Sequence, residues 1–478
     1  MSDTDTPVLV VGAGPSGLTM ANELVRHGVA VRIVDQAPAP ATTSRALVIQ
    51  PRCLEIFEDM EVVADVLAAG SEAPSLNIVF NTGRSVRLEL HDLLRDPSNY
   101  TEYQSLHMLF QDDTERILTA KLEQRGVHVE RGLTVVDLNA DEHGPGPEYR
   151  EPTHDEFQAM LDQRLPVPAT VVREQWVSRY RLHRHSVPRY RDGRVFLVGD
   201  AAHVHSPAGA QGMNTGIQDA YNLAWKLALV VRGIGKESML DSYHAERHPI
   251  GERLLTTTDR FFAVIAGQNA TARFLRGRLA PQIVSRVLAR HSARKRFVGT
   301  LAQVRTSYPH SSLNRQHGAD WQDAPAPGDR ARQVDVVIDG TTQHLHTLLH
   351  GTRHTVLLFT GTDEGARPVV ELGRIAHRIE LAYPNLVRAR VISPEPRTDH
   401  PLAVGDPDRM AHQRYGIDRA AAFVIRPDLH VGYRCTPNRR RRRTRRPRPP
   451  TPRCTHTDLT DVRGQESSLI CPTPGSTP

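Results

Sequence analysis

The chain has 478 residues and a mass of 53.3 kDa, enough for two or three domains that each bury a core. Hydrophobic residues are 39% and charged residues 24%, no run of eighteen apolar residues occurs, and the opening MSDTDTPVLV holds no basic or apolar leader, so neither a transmembrane helix nor a signal peptide is readable and the cytoplasm is expected. Four cysteines (Cys53, Cys435, Cys454, Cys471) are too few for a disulfide scaffold, and the net charge of +6 belongs to one end: residues 434–478 hold eleven Arg against three acids, +8, which leaves −2 for residues 1–433.

In chain order, Val8-Leu9-Val10-Val11 reads as a short buried strand, followed by a Gly-rich turn, a helix over residues 16–27 and a second strand over 31–34, a βαβ opening. Residues 52–68 are predicted helical. Residues 76–80 and 86–90 flank Asn81-Thr82-Gly83 as a β-hairpin. A helix over 114–125 and a strand over 127–129 follow. Residues 139–152 read as a loop, Thr153-His154-Asp155-Glu156 as a capping box opening a helix, and 171–180 as a Trp-bearing strand. A strand over 194–198 ends in Gly199-Asp200, and a long helix spans 212–232. Residues 237–306 are predicted helical and basic on one face. Residues 321–329 are a Pro-rich linker, and 333–433 alternate strand and helix patterns as a small separate α/β domain. From Pro437 on, the Arg/Pro/Thr text offers nothing to build a core and is expected to be disordered. Its function class would be nucleic-acid binding. No aromatic residue interleaves with the arginines, so nucleic acid is not an expected partner.

Two motifs carry chemistry. Gly12-Ala13-Gly14-Pro15-Ser16-Gly17 lies between strand and helix: Gly12 suits the tight turn, Gly14 the approach of a pyrophosphate, and Gly17 close helix–strand packing. The helix start offers free N–H groups and the positive dipole end. Asp35 ends the next strand, where a carboxylate can accept hydrogen bonds from ribose hydroxyls. The second motif is RVFLVGD, residues 194–200, followed by Ala-Ala-His-Val-His-Ser-Pro207 and Gly209-Ala-Gln-Gly212-Met213-Asn214. A strand delivers Asp200, a Pro-containing loop follows, and a Gly-rich turn opens the long helix, whose N–H groups can face an acceptor that gains negative charge. His203 and His205 need no metal reading, and no metal is expected.

These blocks, with SRALVIQPRCLEIF and LFQDDTERIL between them, resemble the FAD-dependent aromatic hydroxylases of the p-hydroxybenzoate hydroxylase fold, and most closely the phenol and polyketide hydroxylases with a C-terminal thioredoxin-like domain. The resemblance implies an α/β fold: a Rossmann-like FAD-binding domain over 1–233 with a shortened substrate-domain insert at 70–190, a helical segment over 234–320, a thioredoxin-like domain over 321–436 and the Arg/Pro-rich tail over 437–478. It implies that Gly12, Gly14, Pro15, Ser16 and Gly17 hold the ADP phosphates and Asp35 the adenosine ribose. Arg45 and Gln111 would reach the phosphate–ribityl region, Gly199 and Asp200 the ribityl or pyrophosphate, and Pro207, Gly209, Gly212, Met213 and Asn214 the isoalloxazine. The implied reaction uses FAD, NAD(P)H as a transient co-substrate and O2 to hydroxylate a small phenolic or polyketide ring through a flavin C4a-hydroperoxide. No side-chain catalyst is nominated, and a homodimer is compatible.

The chain departs from that family in the tail, whose Arg/Pro/Thr text resembles no C-terminus of the family, and in one internal interval. The third FAD motif, an Asp-Gly pair after a strand, is absent between Val136 and Val195, with much of the substrate sheet, and the text changes abruptly near residues 141–148. The alternative expectation is therefore a catalytically impaired FAD-binding remnant or an uncoupled NAD(P)H oxidase.

Overall fold

The computed structural model describes residues 7–42, 44, 46–79, 85–96, 99–135, 185–204, 211–266, 282, 286–287, 289–318, 321, 323–362, 367–395 and 400–436. The helix expected after Thr153, the strand at 171–180 and the 437–478 tail lie outside them. The chain divides into two compact units, one of Met1–Tyr221 with Arg247–Val304 and the other of Asn222–Glu246 with Arg305–Pro478.

In the first unit, β1 (Val8–Val11) leads through the glycine turn to α1 (Pro15–Arg26) and β2 (Val31–Asp35). Pro15 at the first helical position is preset for the helix and gives up an N–H that had no partner there. Next come β3 (Val48–Ile49), α2 (Pro51–Asp59), α3 (Val63–Ala69) and β4 (Ser71–Ala73). The expected helix over 52–68 is thus two helices, broken where Glu61 takes a positive φ of 62°. The hairpin forms as β5 (Ser75–Val79) and β6 (Ser85–Glu89), with Leu76 opposite Leu88, and runs into α4 (Leu90–Leu94). Then come β7 (Leu106–Met108), α5 (Gln111–Gln124) and β8 (Val129–Arg131).

β1, β2 and β8 form a parallel three-stranded sheet. The run Val8–Val11 is buried at Val10 only, and Leu9 and Val11 are 51% and 57% exposed. A continuous apolar strand implies cover on both faces. Among the described residues only one face of β1 has it. α1 covers that face, on the side of Val10, and packs in turn against α5, where the buried Asn22 amide donates to Leu118 O at 2.9 Å.

Short strands β9 (His185–Ser186), β10 (Arg191–Asp192), β11 (Val195–Phe196) and β12 (His203–Val204) precede α6 (Gly212–Val231), α7 (Asp241–Ala266) and α8 (His291–Leu301). Val298 of α8, with Ala302 and Val304, packs with Leu88, Leu90, Leu93, Leu94 and Leu106 as one apolar cluster under the hairpin.

The second unit carries β13 (Arg315–His317), β14 (Asp335–Ile338), β15 (Thr341–His344), α9 (Leu345–Leu349), β16 (His354–Phe359), α10 (Val369–Ala382), β17 (Val387–Ser393), β18 (Ala403–Gly405), α11 (Met410–Arg414), β19 (Ala421–Ile425) and β20 (Val431–Cys435). The eight strands run in the order β13-β20-β19-β16-β17-β18-β14-β15. β16 and β17 are parallel, joined by the α10 crossover; β19 returns antiparallel beside β16, and β20 runs antiparallel beside β19, a thioredoxin-like arrangement. Alternation splits β16 between two cores: Leu357 and Phe359 join Phe423 and Ile425 on one face, Val356 and Leu358 join α10 on the other.

This unit also buries charge. The Glu246 carboxylate accepts from Lys226 Nζ at 2.7 Å, Asn222 Nδ2 at 2.7 Å and both Arg426 terminal nitrogens at 2.8 and 2.9 Å, and Arg426 Nε donates to Asp428 at 2.9 Å. Burial pushes the Glu246 carboxyl up, but Arg426 and Lys226 outweigh it and hold the group far below the usual carboxylate range.

Candidate functional site

The turn between β1 and α1 has one place closed to any side chain and one left open. Gly12 turns the chain at φ +98°, and its N–H donates to Val34 O at 2.8 Å. A Cβ on Gly17 would lie 1.9 Å from Gly12 O, so only glycine lets the helix begin this close to the strand. A Cβ on Gly14 would meet nothing within 4 Å, so open space lies beside this backbone. Asp35 closes the turn from β2: its carboxylate accepts Ala13 N–H at 2.6 Å and Ala37 N–H at 2.7 Å while remaining partly exposed. Gln111 starts α5. Its N–H donates to Ala46 O and Ser44 Oγ, and its side-chain amide donates to Glu115 at 2.8 Å.

The second motif meets the first here. The strand expected over 194–198 pairs only at Val195 and Phe196, and Gly199 (φ +61°) turns the chain into a short 3₁₀ turn, Gly199–Ala201, that leaves Asp200 exposed. A Cβ on Gly199 would stand 2.5 Å from Ser16 Oγ, and one on Gly216 would stand 2.2 Å from the same atom. Ser16 of the first motif is therefore seated between two glycines of the second.

Beneath this turn, Asp219 on α6 gathers three donors. His203 Nε2 lies 2.7 Å from Oδ2, Gly199 N–H donates to Oδ2 at 3.3 Å, and Arg247 Nε donates to Oδ1 at 2.6 Å. Arg247 also donates to Thr215 O at 3.2 Å. Burial pushes the Asp219 carboxyl up, but Arg247 and His203 together bring it below its ordinary value, so it stays ionised. The sequence alone gives His203 no metal-binding role and singles out neither Asp219 nor Arg247. The available signal was spacing: Asp219 follows Gly212 by seven residues, two helical turns, and so lies on the same face as the glycine-rich helix start.

Gly212 and Met213 open α6 half-buried, with first-turn amides that the helix cannot pair. Asn214 is fully buried, and its side chain is committed to main chain: Oδ1 accepts Gln50 N–H at 2.8 Å and Nδ2 donates to Val48 O at 2.8 Å. Arg45, Pro207 and Gly209 lie outside the described residues. Among the described residues no group of three or more His, Cys, Asp or Glu is placed to hold a metal, and no helix is long and apolar enough to cross a membrane.

The donor set fits a dinucleotide. Phosphates need N–H donors and room against backbone, which the Gly14 turn offers, and sugar hydroxyls need carboxylate acceptors, which Asp35 and Asp200 offer. The FAD binding domain family matches this chain in two stretches, residues 5–159 and 149–258. The chain is 32% identical to 6-methylpretetramide 4-monooxygenase of Streptomyces rimosus, over 89% of this chain and 90% of that one. It is 26% identical to pentachlorophenol 4-monooxygenase of Sphingobium chlorophenolicum, over 88% of this chain and 96% of that one. Among solved structures, the flavin-dependent monooxygenase PieE, in complex with FAD and substrate, matches with a TM-score of 0.69 at 20% identity, covering 91% of this chain and 96% of that one.

Fold and sequence together define a flavoprotein of the p-hydroxybenzoate hydroxylase type. The chain belongs to the FAD-dependent aromatic hydroxylases, and it is a monooxygenase that uses FAD with NAD(P)H as co-substrate.

The alignments also locate the departure from the family. The match to the Streptomyces rimosus enzyme runs over 527 positions, whereas 89% of 478 residues is about 425, so about a hundred of its positions face no residue here. The two family stretches meet at 149–159, next to the abrupt change of text at 141–148.

Proposed function

We propose that this chain hydroxylates an aromatic ring of phenolic or polyketide type, with O2 as the oxygen source. The main-chain amides of Gly14, Ser16 and Gly17 would bind the FAD pyrophosphate, with Gly12 shaping the turn and Pro15 starting the helix, and Asp35 would bind the adenosine ribose. Arg45 and Gln111 would reach the phosphate–ribityl region, and Gly199 and Asp200 would hold the ribityl chain. Pro207, Gly209, Gly212, Met213 and Asn214 would border the isoalloxazine, Asn214 through its N–H because its side chain is engaged elsewhere. When bound, the flavin supplies the redox chemistry that activates O2. The chain's own part is to orient the flavin and the ring, to keep water out, and to stabilise negative charge with the positive end of α6. Dependence on NAD(P)H supports the cytoplasm as its compartment.

The observation that carries this reading is the seating of Ser16 between Gly199 and Gly216, which brings the glycine turn of the first motif and the Asp200 turn side by side. The relatives, named as monooxygenases, support it over the impaired remnant. The test is the visible spectrum of the purified protein before and after anaerobic NADPH, with and without a phenol. A yellow protein that bleaches faster with the phenol is expected. A colourless protein that FAD does not reconstitute overturns the reading.

A further inference from the structure

The turn that carries Asp200 links two short strands: β11 ends at Phe196, and β12 begins at His203, opposite Ser186 of β9. Asp200 itself is exposed, yet Gly199 beside it is buried. One carboxylate ties the two ends of the turn together. Asp219 accepts Gly199 N–H on one side of Asp200 and meets His203 Nε2 on the other, 3.3 and 2.7 Å away. Its second oxygen takes Arg247 Nε at 2.6 Å, and Arg247 in turn binds Thr215 O, so the carboxylate is tied to the first two turns of α6. Asp219, His203 and Arg247 are each no more than 1% exposed. Gly251 on α7 makes the approach feasible: a Cβ there would stand 2.3 Å from the Tyr190 hydroxyl and 3.3 Å from the His203 ring.

Burying this much charge is expensive, and apolar packing of equal volume commonly gives as much stability or more. What apolar packing lacks is direction. Three donors converging on one carboxylate set the path of residues 199–203, and with it where Asp200 points. Gly199, set by the same carboxylate, is also the residue on which Ser16 of the phosphate turn rests.

We propose that Asp219 is the positioning residue of the FAD site: through Gly199 and His203 it fixes the turn that presents Asp200, and it seats that turn against the phosphate-binding turn at Ser16. The proposal rests on the reading of Asp200 and the Gly12–Gly17 turn as FAD ligands.

The test is titration of apoprotein with FAD, read by flavin fluorescence quenching and by the bound flavin's visible band, with thermal melting of the same apoprotein by circular dichroism. Asp200→Asn removes the proposed ligand's charge. Asp219→Asn weakens the anchor. His203→Phe keeps ring volume but deletes one donor, and it serves where Asp219→Asn does not fold. Leu357→Ala, a core truncation in the second unit's sheet, controls for lost stability alone. We expect Asp219→Asn and His203→Phe to raise the Kd for FAD about tenfold or more, the scale of one charge-assisted hydrogen bond, as Asp200→Asn does, and to shift the visible band. Leu357→Ala should melt at least as early yet bind FAD as the wild type does. Wild-type affinity in His203→Phe, or weakening in Leu357→Ala as large as in Asp219→Asn, overturns the proposal. Wild-type affinity in Asp200→Asn overturns the route through Asp200. A wild-type chain that binds no FAD overturns the underlying reading of the site as well.

Discussion

Asn214 Oδ1 accepts the main-chain N–H of Gln50 at 2.8 Å, and the same side chain donates from Nδ2 to Val48 O. This residue in the first turn of the long helix therefore stitches β3 and the start of α2 to it. The residue is 0% exposed, so Asn214→Ala leaves a buried donor and a buried acceptor without partners. At about 1–3 kcal/mol for each orphaned group, partly relieved by relaxation, the expected loss is about 2–4 kcal/mol of stability. Urea unfolding of the apoprotein measures it. A variant as stable as the wild type would mean that the side chain's task lies with the flavin alone.

Gly14 and Gly17 separate fold from ligand. Gly17→Ala drives a methyl to 1.9 Å from a backbone oxygen, and backbone cannot step aside as a flexible side chain can. A loss of about 3 kcal/mol or more is expected, with FAD binding lost alongside. Gly14→Ala meets only open space, so stability should stay within about 1 kcal/mol, while FAD affinity falls because the methyl occupies the pyrophosphate's approach. Melting and FAD titration of the two variants should therefore disagree for Gly14→Ala and agree for Gly17→Ala.

The βαβ opening, the hairpin, the long helix and the second unit's main strands were all legible because period and turn chemistry state them locally: VLVV, then GAGPSG, then VRIVD leaves few alternatives. The Asp219–His203–Arg247 anchor was not legible, because residues sixteen and twenty-eight positions from Asp219 meet only after folding. Leu9 and Val11 misled in the opposite direction. An apolar run announces that a strand seeks cover, but not whether the rest of the chain supplies it, and here both stand half exposed.

His354 gives the second unit a pH response. Burial lowers its pKa from 6.5 to about 4, with Arg426 adding to the effect, and its ring meets Trp225 edge-on at 5.4 Å. Below pH 6.5 the unfolded histidine takes up a proton that the folded one refuses until about pH 4, so stability falls as pH drops through that window. The loss should reach up to about 3 kcal/mol. Glu246 and Asp428, both held below their ordinary values of 4.5 and 3.8, add acid sensitivity only at the lower end, where their unfolded forms protonate. His354→Gln should flatten the stability profile between pH 6.5 and 4.5 and leave the steeper fall below it. Denaturant midpoints at half-unit pH steps would show this, and an unchanged slope in the variant would exclude His354 as the source.

The shortened interval predicts how well the reaction is coupled. About a hundred positions of the Streptomyces rimosus relative have no counterpart here, and the family match breaks at 149–159, within the interval where the family's substrate sheet is expected. A monooxygenase keeps its reactive oxygen productive by excluding water until the ring is reached. With less chain to exclude it, part of the reducing power should leave as H2O2. The expected outcome is less than one hydroxylated product per NAD(P)H oxidised, with the deficit recovered as peroxide and with O2 uptake equal to NAD(P)H consumed. Adding catalase should return half of the O2 consumed in the uncoupled share. Following NAD(P)H absorbance, O2 and product in one reaction measures all three. A one-to-one ratio of product to NAD(P)H would show that the residues retained here shield the reaction without the missing positions.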